Sequence, residues 1–179
     1  MGKRILILCE ASAPPAYSPR IITMVNYLRS QGWHCEIVTE MNDDIPFLSN
    51  VCKIHQMPTY RNLVADKLFG YKEKCLARYC VQQVDVSSFD LILCASYYYF
   101  PLQAAYQLAK RFNLPLVVDL RDIAEQWGNL DYYTRKLTGI GCIDNIAKSL
   151  YTYVNMRQRN RVLKYAKAVT TVSVWHREK

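Results

Sequence analysis

The 179-residue sequence predicts an α/β domain: three layers around a mostly parallel, doubly wound sheet. Three observations carry this. The strand candidates Arg4–Cys9, Cys35–Thr39, Asp90–Cys94 and Leu114–Val118 are nearly continuous apolar runs. Such runs belong to strands buried on both faces, as in a parallel sheet, and not to the alternating strands of a half-exposed one. Helical stretches separate them with no hairpin signal, the signature of strand–helix–strand crossovers. Finally, the run Leu114-Pro115-Leu116-Val117-Val118 ends in Asp119, Arg121 and Asp122, with Trp127 just beyond. Charge is thus placed where the chain leaves the sheet, at the carboxyl edge where open α/β sheets bind ligands.

Taken in order, the first strand, Arg4–Cys9, leads into Glu10–Tyr17, a loop rich in small residues and proline. Ser18 can cap the next helix, and Pro19 suits its first position, where a missing N–H costs nothing. Ile21, Ile22, Val25 and Leu28 recur at helical spacing and form a core stripe. Gly32 ends the helix before the strand Cys35–Thr39. Arg20 opposes the helix dipole, which favours anions at that end, and with the free N–H groups of the first turn it can grip an anion. A short strand is expected at Val51–His55, an amphipathic helix from Asn62 to Val84, and a strand at Asp90–Cys94 that delivers Tyr97, Tyr98, Tyr99 and Phe100. Tyrosine offers an apolar face with a polar tip, which suits sugars or lipid-linked acceptors as well as packing under the next helix. That helix, Pro101–Phe112, presents Leu102, Ala105, Tyr106, Ala109 and Phe112 on one side. Gly128–Gly141 reads as a mobile loop, a helix follows from about Asp144, and Ala168–Val174 is the closing strand. With the crossover reversing after the third strand, the first, fourth and fifth become central neighbours. Their exits, Glu10–Arg20, Ser96–Phe100 and Asp119–Trp127, then open into one crevice.

Composition narrows the function. No Gly occurs between Gly2 and Gly32, so the glycine-rich pyrophosphate cradle of a dinucleotide site is missing after the first strand, and no Walker loop occurs. The seven cysteines are scattered without a Cys-x-x-Cys pair, and the three histidines are isolated. Buried free thiols in a reducing compartment are expected, with no metal site. The apolar run Ile5–Cys9 is too short for a signal peptide, and no segment is long enough to span a bilayer. The net charge of +8 is uneven, +2 over residues 1–120 and +6 over 121–179. A basic segment at 155–167 suits an anionic partner such as a lipid surface, and equally a solvated helix face. No recognised nucleic-acid module accompanies it.

Three of these pieces, in this order, resemble the N-terminal domain of GT-B-type glycosyltransferases, the large family 4 group in particular. They are the opening strand with Pro14-Pro15, Arg20 and Gly32-Trp33; the segment Leu114–Asp122 with Trp127; and Ala166–Ser173. The sequence departs from that pattern where Ala16-Tyr17-Ser18 stands in place of glycines, and where Ile123–Gln126 separates Asp122 from Trp127.

The resemblance covers the whole chain and implies one Rossmann-like domain, residues 1–179, on the acceptor side of a cleft. The nucleotide sugar would be held by a C-terminal domain that this sequence does not contain, so no cofactor is expected here and the chain alone is expected to be inactive. It further implies a retaining transfer without obligatory metal, from a nucleotide sugar to a glycan or lipid-linked acceptor, in polysaccharide biosynthesis. The expected location is cytoplasmic, with possible peripheral contact at the inner membrane face and no nucleic acid. Asp122 is the candidate catalytic residue; Tyr17, Ser18, Arg20, Tyr97, Tyr98, Asp119, Arg121 and Trp127 are candidate acceptor contacts. Asp119 can orient the acceptor hydroxyl as well, and pairing of Asp119 with Arg121 is the purely structural alternative. Two other functions stay open: a non-catalytic subunit that docks a separate donor domain at the membrane, and a Rossmann-like protein in which Arg20 and Arg121 clamp a small anion.

Overall fold

A computed structural model describes residues 2–10, 19–40, 51–62, 65–66, 69–96, 99–120 and 141–171. The strands are β1 (Arg4–Cys9), β2 (His34–Glu40), β3 (Lys53–Met57), β4 (Leu91–Ser96), β5 (Leu116–Leu120) and β6 (Ala168–Thr171). The helices are α1 (Pro19–Ser30), α2 (Tyr71–Gln83), α3 (Leu102–Phe112) and α4 (Gly141–Tyr165). All strand pairings are parallel, in the order β3-β2-β1-β4-β5-β6. The order reverses between β1 and β4, and β1, β4 and β5 are adjacent, as the apolar runs imply. Where a mostly parallel sheet was expected, the described sheet is entirely parallel.

Alternate residues of each strand serve different layers, which is why the runs are continuous. Leu6 and Leu8 of β1 pack with Leu76 and Cys80 of α2, Leu102, Ala105 and Leu108 of α3, and Val162 of α4. Ile5, Ile7 and Cys9 turn the other way, onto Ile21 and Val25 of α1. A strand covered on both sides has no polar face to alternate with.

Several element boundaries move: β5 lies at Leu116–Leu120 instead of Leu114–Val118, which takes Asp119 into the strand, β4 runs on to Ser96, and α4 begins at Gly141 instead of Asp144. The third strand lies at Lys53–Met57, two residues beyond the expected Val51–His55. Its register sets Ile54 opposite Ile37 and His55 opposite Val38. The helix expected from Asn62 is regular only from Tyr71, because Gly70 adopts φ +60, a left-handed conformation that breaks an α-helix. Helix α1 starts at Pro19 as the missing N–H suggests. Helix α3 ends at Asn113, a non-glycine residue at φ 54 whose backbone N–H bonds Ala109. The segment expected as a mobile loop, 128–141, lies outside the described residues up to Gly141, as does the closing strand beyond Thr171.

Candidate functional site

The carboxyl edge of the sheet holds a buried polar constellation on the α1 side. Asp119, next to last in β5, is 1% exposed, and its Oδ1 accepts hydrogen bonds from the Arg20 guanidinium and from Thr170 Oγ1, the latter at 2.5 Å. Strand register puts Asp119 between Ala95 of β4 and Thr170 of β6, and the helix start at Pro19 puts Arg20 in the first turn directly over that row. The cation that opposes the helix dipole therefore faces a buried carboxylate, which offsets the unfavourable placement. Arg20 keeps a third of its side chain exposed while Asp119 keeps 2%, so part of the guanidinium still faces outward. Asp119 Oδ2 is buried and has no hydrogen-bond partner among the described residues. The open part of the Arg20 guanidinium offers a ligand hydroxyl or anion a donor, while the buried Asp119 carboxylate holds that guanidinium in place.

Two of the residues singled out from the sequence thus meet each other. Tyr17, Ser18, Tyr97, Tyr98, Arg121, Asp122 and Trp127 lie outside the described residues. Among the described residues Asp119 Oδ1 is met by Arg20 and Thr170; its pairing with Arg121 lies outside the described residues. Thr170 carried no signal in the sequence; only the β5–β6 register brings it there.

The other face of the sheet carries a second feature at the same edge, built on Glu73 of α2. Its Oε2 accepts the backbone N–H of Ala104 at 2.8 Å and its Oε1 that of Gln103 at 3.3 Å, so α2 caps the open N-terminus of α3. Burial pushes the Glu73 carboxyl up to about 8, against the two backbone amides that pull it down. Next to it lies a cavity of about 230 Å³ lined by Phe69, Tyr99, Gln103, Tyr151 and Asn155 among others. Tyr99 and Phe100, expected to share one crevice with Arg20 and Asp119, therefore pack on the α2–α3 side. Lys72 holds this corner: its Nζ lies 2.9 Å from Glu40 Oε2 and 4.1 Å from the Phe100 ring centre. In the sequence Glu73 is one charge among Lys72 and Lys74, indistinguishable from a solvated face.

At the opposite, amino edge, Glu36 is buried among Arg4, at 2.9 Å, and His55, at 2.7 Å. Burial raises its carboxyl, but hydrogen bonds from His55 and Arg4 and the charge of Lys53 outweigh this and hold it below the usual range. This edge is far from the strand exits that bind ligands and serves as an internal strut. The thiols offer no nucleophile in the core. Burial lifts Cys9 and Cys80 to about 12 and Cys94 well above its ordinary value. None of the seven cysteines forms a disulfide, and no metal-binding group of His, Cys, Asp and Glu occurs among the described residues.

No protein-family model matches the sequence, and no curated protein matches it. Solved structures do. A sucrose-phosphate synthase from Thermosynechococcus elongatus matches 98% of this chain and 79% of its own at 13% identity, TM-score 0.59. Phytolacca americana UGT2, complexed with UDP-2-fluoro-glucose and pterostilbene, matches 98% of this chain and 49% of its own at 10% identity, TM-score 0.58. The glycotransferase of kitacinnamycin matches 92% of this chain and 41% of its own at 10% identity, TM-score 0.51. The chain thus spans under half the length of the last two. At such identities the likeness is one of fold: this is a three-layer, Rossmann-like α/β domain of the architecture found in GT-B glycosyltransferases.

Proposed function

We propose that this chain is the acceptor-side N-terminal domain of a retaining, family 4 type glycosyltransferase. It would act in the cytoplasm on a glycan or lipid-linked acceptor, in polysaccharide biosynthesis. The observation that supports this most directly is the Arg20–Asp119–Thr170 row at the carboxyl edge, with Asp119 Oδ2 unpartnered among the described residues and Arg20 partly open. On this reading the open side of the Arg20 guanidinium donates to an acceptor hydroxyl, and buried Asp119 holds Arg20 in position for it. Asp122, two residues beyond the end of β5 in the sequence, would orient that hydroxyl or take its proton as it attacks the anomeric carbon. Fixing that hydroxyl supplies the orientation part of catalysis. The nucleotide sugar and its departing phosphate belong to a second α/β domain across the cleft, so this chain alone transfers no sugar.

Isotope-edited NMR of the 179-residue chain tests the assignment. Titration with mono- and oligosaccharides is expected to shift the amides of Arg20, Ala95 and Thr170, while UDP- and GDP-sugars leave them in place. Nucleotide sugars shifting these amides, or no saccharide shifting them, contradicts the acceptor role. Transfer of radiolabelled sugar by this chain alone contradicts the division of labour between two domains.

A further inference from the structure

Helix α4 packs by one side only. Tyr151, Asn155 and Gln158 line the cavity beside Glu73, and Val162 is fully buried. The opposite side carries Ile143, Ile146, Leu150, Tyr153, Arg157, Arg161 and Lys164, spaced by three or four residues and hence on a single stripe. The four large apolar members are exposed by 46, 70, 62 and 61%, and Arg157, Arg161 and Lys164 are exposed as well. Val154 and Phe69, also exposed, flank the stripe across the cavity mouth. Contiguous exposed apolar surface of this kind marks an interaction site. The stripe is segregated: its first half is apolar and its second half cationic.

That segregation selects the occupant. A second copy pairing in parallel would set cation against cation, and an antiparallel one would lay Arg157, Arg161 and Lys164 on apolar side chains. Asp144 is the only acidic residue of α4 and lies off the stripe's cationic half. An anionic bilayer surface instead offers acyl chains for the apolar end and phosphate headgroups for the cationic end. No helix among the described residues is long and apolar enough to cross a membrane, so α4 would lie on the surface.

We infer that the outer stripe of α4, Ile143 to Lys164, is a docking face for an anionic lipid surface. It stands apart from the sugar-transfer reading, since docking needs neither donor nor acceptor sugar.

Co-sedimentation of the 179-residue chain with vesicles tests it. Binding is expected to phosphatidylcholine vesicles containing about a third phosphatidylglycerol, falling steeply between about 50 and 500 mM salt as the charges are screened. It is expected to be lost on pure phosphatidylcholine. Arg157→Glu with Arg161→Glu should weaken binding roughly tenfold or more. Ile146→Glu with Leu150→Glu should weaken it comparably by keeping the apolar end out of the bilayer. All four side chains are exposed, so circular dichroism and the melting temperature should be unchanged in both variants. Failure to bind anionic vesicles, equal binding to neutral ones, or indifference to either pair of substitutions overturns the inference. So does a dimer that forms without lipid and that Ile146→Glu with Leu150→Glu dissolves, which would assign the stripe to a second copy.

Discussion

Replacing Arg20 by Met isolates what the carboxyl-edge pair contributes. In Arg20→Met the Asp119 carboxylate stays in a site only 2% exposed. Oδ1 then keeps only the Thr170 hydroxyl, and Oδ2 has no partner among the described residues to compensate. Breaking a buried ion pair from one side costs about 3–5 kcal/mol. With a third of Arg20 exposed, water reaches the pair, which argues for the lower end, about 3 kcal/mol. For a chain of this size that lowers Tm by roughly 6–12 °C. The reverse change, Asp119→Asn, strands no charge in the core, because the Arg20 side chain can turn to solvent; its cost is about 1 kcal/mol. The double variant should therefore cost at least about 1 kcal/mol less than the sum of the singles. Urea unfolding followed by circular dichroism measures all four corners of this cycle. If Arg20→Met is no more damaging than Asp119→Asn, or the two add within about 0.5 kcal/mol, Arg20 and Asp119 are not coupled as the ion pair at the carboxyl edge.

Two further outcomes follow from the titrating groups. Glu73 is raised to about 8 in the folded chain against an ordinary 4.5. Below the unfolded value both states hold the proton and its contribution is complete. Between the two values only the folded state holds it, so stability falls as pH rises, by up to about 1.4 kcal/mol per pH unit, and levels off above about 8. Glu73→Gln, which mimics the protonated acid, should lack this component in urea unfolding measured from pH 5 to 9; an unchanged slope would place the pH dependence elsewhere. Among the thiols, exposed Cys142 should react with a disulfide reagent first, while buried Cys9, Cys80 and Cys94 wait for unfolding. A fast phase that survives Cys142→Ser combined with Cys52→Ser and Cys75→Ser, the two half-buried thiols, would show that a core thiol is accessible.

The parallel sheet was legible because burial on both faces leaves a local trace: Ile5–Cys9 and Leu116–Val118 are apolar without alternation, whatever lies around them. The adjacency of β1, β4 and β5 followed from helix-length connections and the crossover reversal of a doubly wound sheet. The start of α1 was also local, since Pro19 fits only where no N–H is required. Gly70 shows the limit: the amphipathic pattern from Asn62 runs through it unbroken, and only its left-handed backbone marks where the regular helix begins.

Arg20 and Asp119 were each marked by sequence, but their contact spans 99 residues and exists only because the register of β5 and the start of α1 converge at one edge. Glu73 reaches the N-terminus of α3 across some 30 residues. The two sides of α4 are both rich in apolar residues, so periodicity gives no hint of which one meets the sheet; packing buries Val162 and leaves Ile146 exposed. Propensity and burial on a strand are written into neighbouring residues. Charge pairing, helix capping and the choice of an outer face depend on distances the chain acquires only when folded, and these are what tertiary structure alone decided.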